Sequence, residues 1–139
     1  FPFKGNVDLV KLEQLIQETG HEKIPFISLA GTVNMAGGQP VSMANLKALR
    51  QLTQHYGIPI YLDATRMVEN CFFIQEREEP YHGKTIAEIL LEFCSLTDGA
   101  WMSAKKDHLV AGCIGPANGL SHIFDTAMEF LAGLGHELK

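Results

Sequence analysis

Three short apolar runs, IPFISLAGT (residues 24–32), IPIYLDA (58–64) and GAWMSA (99–104), are separated by stretches of helical periodicity, and this alternation constrains the fold more than any other feature. Short runs rich in β-branched and aromatic residues and bounded by Gly, Pro or Asp read as strands. Strands that alternate with helices form right-handed βαβ units around a parallel sheet. The expected class is therefore α/β.

The helices carry their own punctuation. Residues 8–19 place Leu9, Leu12, Leu15 and Ile16 on one face, with Asp8 as N-cap and Gly20 as C-cap. Ser42 is placed to cap a second helix over residues 43–56, in which Leu46, Leu49, Leu52 and Thr53 share a face and Gly57 provides the stop. Thr85 and Glu88 have the spacing of a capping box opening a helix through IAEILLEFCSL. Between them, TRMVENCFFIQ and REEPYHGK read as a polar, irregular stretch, and NMAGGQPVS reads as loop. Residues 119–139 read as one terminal amphipathic helix whose broad apolar face includes Ile123, Phe124, Phe130 and Leu134.

Composition narrows the function. A chain of 139 residues suits one domain with one core, and a net charge of −5 without a basic stripe argues against nucleic acid as the main partner. Cys71, Cys94 and Cys113 are odd in number and lack a CxxC pair, so a reducing cytoplasm is expected rather than a disulfide framework. The six histidines never fall at i, i+4, so no metal site is expected from them. Neither a signal peptide nor an apolar run of the roughly 18 residues that a membrane span needs is visible, and no membrane association is expected. The chain starts without Met at FPFKGNVDLV, which leads us to expect a fragment or a processed segment.

In parallel sheets ligands gather at the carboxyl ends of the strands. Asn34 follows the first strand, Asp63 and Arg66 the second, and Ser103, Lys105 and Lys106 the third. Taken singly, the paired lysines are solvated surface charge and Asp63 a turn former or helix cap. Together they suggest chemistry. A lysine amine attacks an aldehyde only when neutral, and an adjacent cation favours that form, so Lys106 beside Lys105 is a candidate to hold a Schiff base. A carboxylate opposite a pyridine nitrogen keeps that nitrogen protonated, so the ring can accept electrons; Asp63 fits that role. Ser103 can donate to a phosphate. The combination points to pyridoxal phosphate, whereas AGGQP and GCIGPANG match neither dinucleotide nor nucleotide-phosphate spacing, and a GxSxG elbow is missing.

The blocks TVNMAGGQPVSMANLKALR, YLDATRMVENCFFIQERE and DGAWMSAKKDHLV resemble, in order, segments of the tryptophanase and tyrosine phenol-lyase family of pyridoxal-phosphate-dependent β-eliminating lyases, and FPFKGNVDLVKLEQLI resembles the segment before them. The resemblance covers residues 1 to about 110, and AGCIGPANGLSHIFDTAMEFLAGLGHELK departs from it, so residues 111–139 are expected to be a divergent C-terminal segment of a single partial domain.

The resemblance implies part of the large cofactor-binding domain of an aspartate-aminotransferase-type fold. It also implies a tetrameric homo-oligomer, a requirement for potassium or a similar monovalent cation, and an aromatic L-amino acid as substrate. Carried over by motif, Lys106 becomes the Schiff-base lysine and Lys105 its neighbour. Asp63 becomes the partner of the pyridine nitrogen, Asn34 and Arg66 sit by the cofactor's phenolic oxygen, and Ser103 contacts the phosphate. The family's upstream phosphate loop, its ring-stacking aromatic and its C-terminal substrate-binding arginine have no counterpart in these residues.

Ala104 leans the substrate toward tryptophan, cleaved to indole, pyruvate and ammonia; DATR and TVNMAGG look like tyrosine phenol-lyase, the alternative. Trp101 is expected in the core rather than against substrate, and Phe72 and Phe73 do not decide. A second class of function is a non-catalytic remnant serving as a binding or interaction module.

Overall fold

A computed structural model describes residues 3–32 and 37–102. Along the chain run α1 (Leu9–Thr19), β1 (Ile27–Ala30), α2 (Met43–Tyr56), β2 (Ile60–Asp63), α3 (Met67–Arg77), α4 (Ile86–Ser95) and β3 (Gly99–Trp101), with short 3-10 turns at His21–Lys23 and Glu79–Tyr81. The strands form a parallel sheet in the order β1-β2-β3, as the α/β reading anticipates. The strands are shorter than the apolar runs that announce them. The expected terminal helix at residues 119–139 lies outside the described residues, as do Ser103 and Ala104 of the third run.

The three expected helix starts are present. Asp8 accepts from the Lys11 amide, Ser42 from the Asn45 amide, and Thr85 with Glu88 forms the reciprocal capping box. Gly57 stops α2 in the left-handed conformation at φ 67°, a backbone state that costs glycine nothing. Leu15 departs from its expected place on the apolar face of α1 and is exposed.

The stretch expected to be irregular is instead α3. Met67, Asn70, Cys71 and Ile74 recur at i, i+3, i+4 and i+7 and are all buried, which makes one continuous inward stripe. That stripe is hard to see in the sequence because one member is an asparagine and Val68 and Phe72, both apolar, point to solvent.

Successive strands add on the same side, so right-handed crossovers carry α2 and the α3–α4 pair to one face of the sheet. On that face Leu29, Ile60, Leu62 and Ala100 pack with Leu46, Leu49, Met67, Ile74, Ile89 and Phe93 in one buried cluster. Alternation sends Tyr61 and Asp63 to the other face, where Tyr61 meets the exposed Phe26 edge-on at 5.3 Å between ring centroids. The thiols of Cys71 and Cys94 are free, and burial pushes them up to about 12 and about 11, which leaves them protonated and inert. No helix among the described residues is long and apolar enough to cross a membrane.

Two polar clusters tie the helical layer down. Arg50 on α2 grips Asp98 with two hydrogen bonds at 2.5 and 2.9 Å, and Asp98 also accepts from the Ile60 amide at 2.8 Å, joining α2 to the entry ends of β2 and β3. Glu92 on α4 accepts from Lys84 and from Tyr81 Oη, each at 2.7 Å, and pairs with Lys47 of α2 at 2.9 Å.

Burial pushes both carboxyls upward, but the Arg50 and Ile60 donors hold Asp98 below its ordinary range, and Lys84, Lys47 and Tyr81 hold Glu92 at about 2. A carboxyl whose folded value is depressed contributes stability above its unfolded value of roughly 4, and loses that contribution as pH falls through the folded value. Stability should therefore drop from about pH 4.5 toward pH 2. In Glu92→Gln, with Asp98→Asn as a companion, denaturant melts taken across that window should show a shallower pH slope; an unchanged slope would discount these two groups.

Candidate active site

Asp63 closes β2, the middle strand, and is half-buried. In register it lies between Ala30 of β1 and Trp101 of β3. Backbone bonds continue past the strand ends: the Gly31 amide donates to the Asp63 carbonyl at 3.4 Å and the Ala64 amide to the Trp101 carbonyl at 2.7 Å. The chain thus leaves β1 and β3 on either side of Asp63. Asn34 lies four residues beyond Ala30, and Ser103, Lys105 and Lys106 lie two, four and five beyond Trp101. Those four residues fall outside the described residues.

The Asp63 carboxylate has one oxygen engaged, Oδ1, which accepts from the Thr65 amide at 3.1 Å. This local bond fixes the carboxylate's direction without neutralising its charge, and among the described residues no cation pairs with it. On one flank Ala30 offers only a methyl group, which leaves room beside the carboxylate; on the other stands Trp101. Trp101 is half-buried in the Asp63 row, while its neighbour Ala100 enters the core. The expectation of a core tryptophan is met only in part.

Arg66 occupies the N-cap position of α3, without a side-chain capping bond. Its side chain is 28% exposed, and Nη1 lies 3.8 Å from Glu69 Oε1. At that distance the pair is loose, so the guanidinium keeps donors for a second acceptor. Phe72 is exposed, and Phe73 lies beneath the Arg77 guanidinium at 4.4 Å, far along α3 from the strand end.

A carboxylate at the end of the middle strand and a partly exposed guanidinium three residues on along the chain are the group types that suit a ring carrying a protonated nitrogen and an ionised oxygen. On these two residues the described part of the site fits pyridoxal phosphate. Among the described residues no group of three or more His, Cys, Asp or Glu side chains is arranged to hold a metal.

Two supporting residues escaped the sequence reading. Thr32 is buried directly after β1, and Oγ1 donates to the Arg66 carbonyl at 3.4 Å. Asn70 is fully buried on α3: Oδ1 accepts from the Val41 amide at 2.8 Å and Nδ2 donates to the Val41 carbonyl at 3.0 Å. A polar residue on the inward stripe of a helix was the available signal for Asn70. Thr32 had none.

The chain is similar to known proteins over most of its length. The profile of the family described as beta-eliminating lyase matches residues 2–138. Over 109 residues, the chain is 69% identical to a Nostoc punctiforme protein named tyrosine phenol-lyase, a match spanning 78% of this chain and 23% of that protein. It is 59% identical, again over 109 residues and 78% of its length, to proteins of the same name from Fusobacterium nucleatum and Symbiobacterium thermophilum, of which it covers 24%. The chain therefore spans about a quarter of the length of the curated relatives it matches.

Proposed function

The chain belongs to the beta-eliminating lyase family, and from that premise we propose that it is the cofactor-binding segment of a pyridoxal-phosphate-dependent lyase that cleaves L-tyrosine to phenol, pyruvate and ammonia. The observation that carries this reading is Asp63, a directed carboxylate at the end of the middle strand that no cation pairs with among the described residues, with the chain departing β1 and β3 beside it. The relatives' shared name supports tyrosine, the alternative in the sequence reading, over tryptophan, which Ala104 favoured.

The bound cofactor supplies an electron-accepting ring that stabilises negative charge at the substrate's α-carbon. Asp63 Oδ2, which has no partner among the described residues, would accept from the ring nitrogen and keep it protonated, a charge-assisted bond worth roughly 1.5 to 3 kcal/mol. Arg66 donates to the phenolic oxygen, in the company of Asn34. Ser103 donates to the phosphate. Lys106 would hold the cofactor through its amine and would be the candidate base for the α-proton, with Lys105 supplying the neighbouring positive charge. A monovalent cation such as potassium, a tetrameric assembly and a cytoplasmic setting complete the proposal. The last is supported by the unpaired thiols of Cys71 and Cys94.

Adding pyridoxal phosphate to the purified protein should produce the yellow absorbance of a lysine-bound cofactor. Lys106→Ala should lose it and Lys105→Ala should keep it. A band of equal strength in all three proteins would remove the assignment of Lys106. Phenol release from tyrosine, measured against indole release from tryptophan, decides the substrate, and a band without pyruvate from either would favour the non-catalytic remnant.

A further inference from the structure

Thr32 has the only positive φ among the described non-glycine residues, 52°. The left-handed region is costly for a β-branched side chain, and such conformations persist where the surroundings over-determine them. Here the surroundings are the start of α3. The Thr32 side chain is buried, and its hydroxyl donates to the Arg66 carbonyl, the oxygen that also accepts the Asn70 amide at 3.2 Å. Gly31 alongside is pressed against the same turn: an added Cβ would run into Met67 Sδ and stand 3.5 Å from Asn70 Cβ. The Gly31 amide is in turn bonded to the Asp63 carbonyl.

Residues 31 and 32 thus form a joint between the end of β1 and the segment that carries Asp63 and Arg66. We propose that Thr32 is a positioning residue for Arg66: its left-handed backbone aims the hydroxyl at the Arg66 carbonyl, and that bond sets the angle at which α3 presents the guanidinium to the rim. The consequence for the cofactor rests on the reading of Arg66 given above. Displacement of a binding group by about 1 Å is enough to matter on this scale.

Three variants separate the contributions. Thr32→Val keeps the shape and loses the hydroxyl, Thr32→Ser keeps the hydroxyl, and Thr32→Gly relieves the backbone without restoring the bond. In cofactor-free protein, amide hydrogen exchange at residues 67–70 should accelerate by about tenfold in Thr32→Val, the equivalent of one lost hydrogen bond, with α2 and α4 unchanged. In the presence of pyridoxal phosphate, Thr32→Val and Thr32→Gly should bind about tenfold more weakly and shift the pH midpoint of the absorbance band, while Thr32→Ser tracks wild type. The proposal is overturned if Thr32→Ser behaves like Thr32→Val, if exchange rises equally across all helices, or if it does not rise at residues 67–70. A wild-type protein that forms no band would instead refute the cofactor reading, and the exchange data would still decide whether Thr32 holds Arg66.

Discussion

On the function proposed above, Asp63→Asn should lower lyase turnover by on the order of a thousandfold, the upper range for loss of one preorganised electrostatic group, while the fold survives. The amide keeps an oxygen able to accept from Thr65, so the local turn made at 3.1 Å is retained. In the proposed role, what would disappear is the negative charge that keeps the ring nitrogen protonated, and with it the ring's capacity to accept electrons. The loss should fall mainly on kcat, because the charge matters most where negative charge develops. Asp63→Glu retains the charge but moves it by one methylene, and should recover part of the rate. Steady-state kinetics with tyrosine, paired with thermal melts, tests this. A variant within threefold of wild type would remove Asp63 from the site, and a parallel collapse of the melting temperature would make its role structural.

The second large effect is on stability. Asn70→Leu should cost about 2 to 5 kcal/mol, because it strands both the amide and the carbonyl of Val41 in the interior. Leucine has the branching of asparagine, leaves no cavity and sits well on a helix, so neither cavity nor propensity explains the loss. Val41 is itself 1% exposed, which leaves its two backbone groups no water to turn to. For a chain of this length the melting temperature should fall by roughly 10 to 20 °C. Urea titration should show a lower midpoint at an unchanged slope, and a substitution at the exposed Glu76 serves as control. A shift no larger than the control's would mean that the loop before α2 repacks without its asparagine.

Three helix starts and the parallel sheet were legible because each depends on local chemistry: an oxygen at Asp8, Ser42 or Thr85 facing an amide three residues on, and apolar runs alternating with helical faces. Helix α3 was not legible. It begins at Arg66 without a side-chain cap, carries Asn70 on its inward stripe, and leaves Val68 and Phe72 in water. Its helicity rests on tertiary burial, to which local propensity is blind.

The site divides in the same way. Asp63 and Arg66 were legible as strand-end polar residues. Asn34, Ser103, Lys105 and Lys106 were read in the same way from their places after the first and third apolar runs, and they lie outside the described residues. Thr32 was invisible because a left-handed threonine has no signature in composition or spacing; only its contacts with α3 create the requirement.

The strand order has a consequence for synthesis. Each strand pairs with the one made just before it, so the sheet can grow in step with the emerging chain, without waiting for a distant segment. Until β3 docks, β2 is an edge strand with unpaired amides and carbonyls, and one flank of Asp63 is open. A ribosome that pauses after α4 would hold out a sticky ribbon. The same addition of Gly99–Trp101 that shields this edge also sets Trp101 beside Asp63, so protection from misassembly and the second flank of that carboxylate arrive in one event.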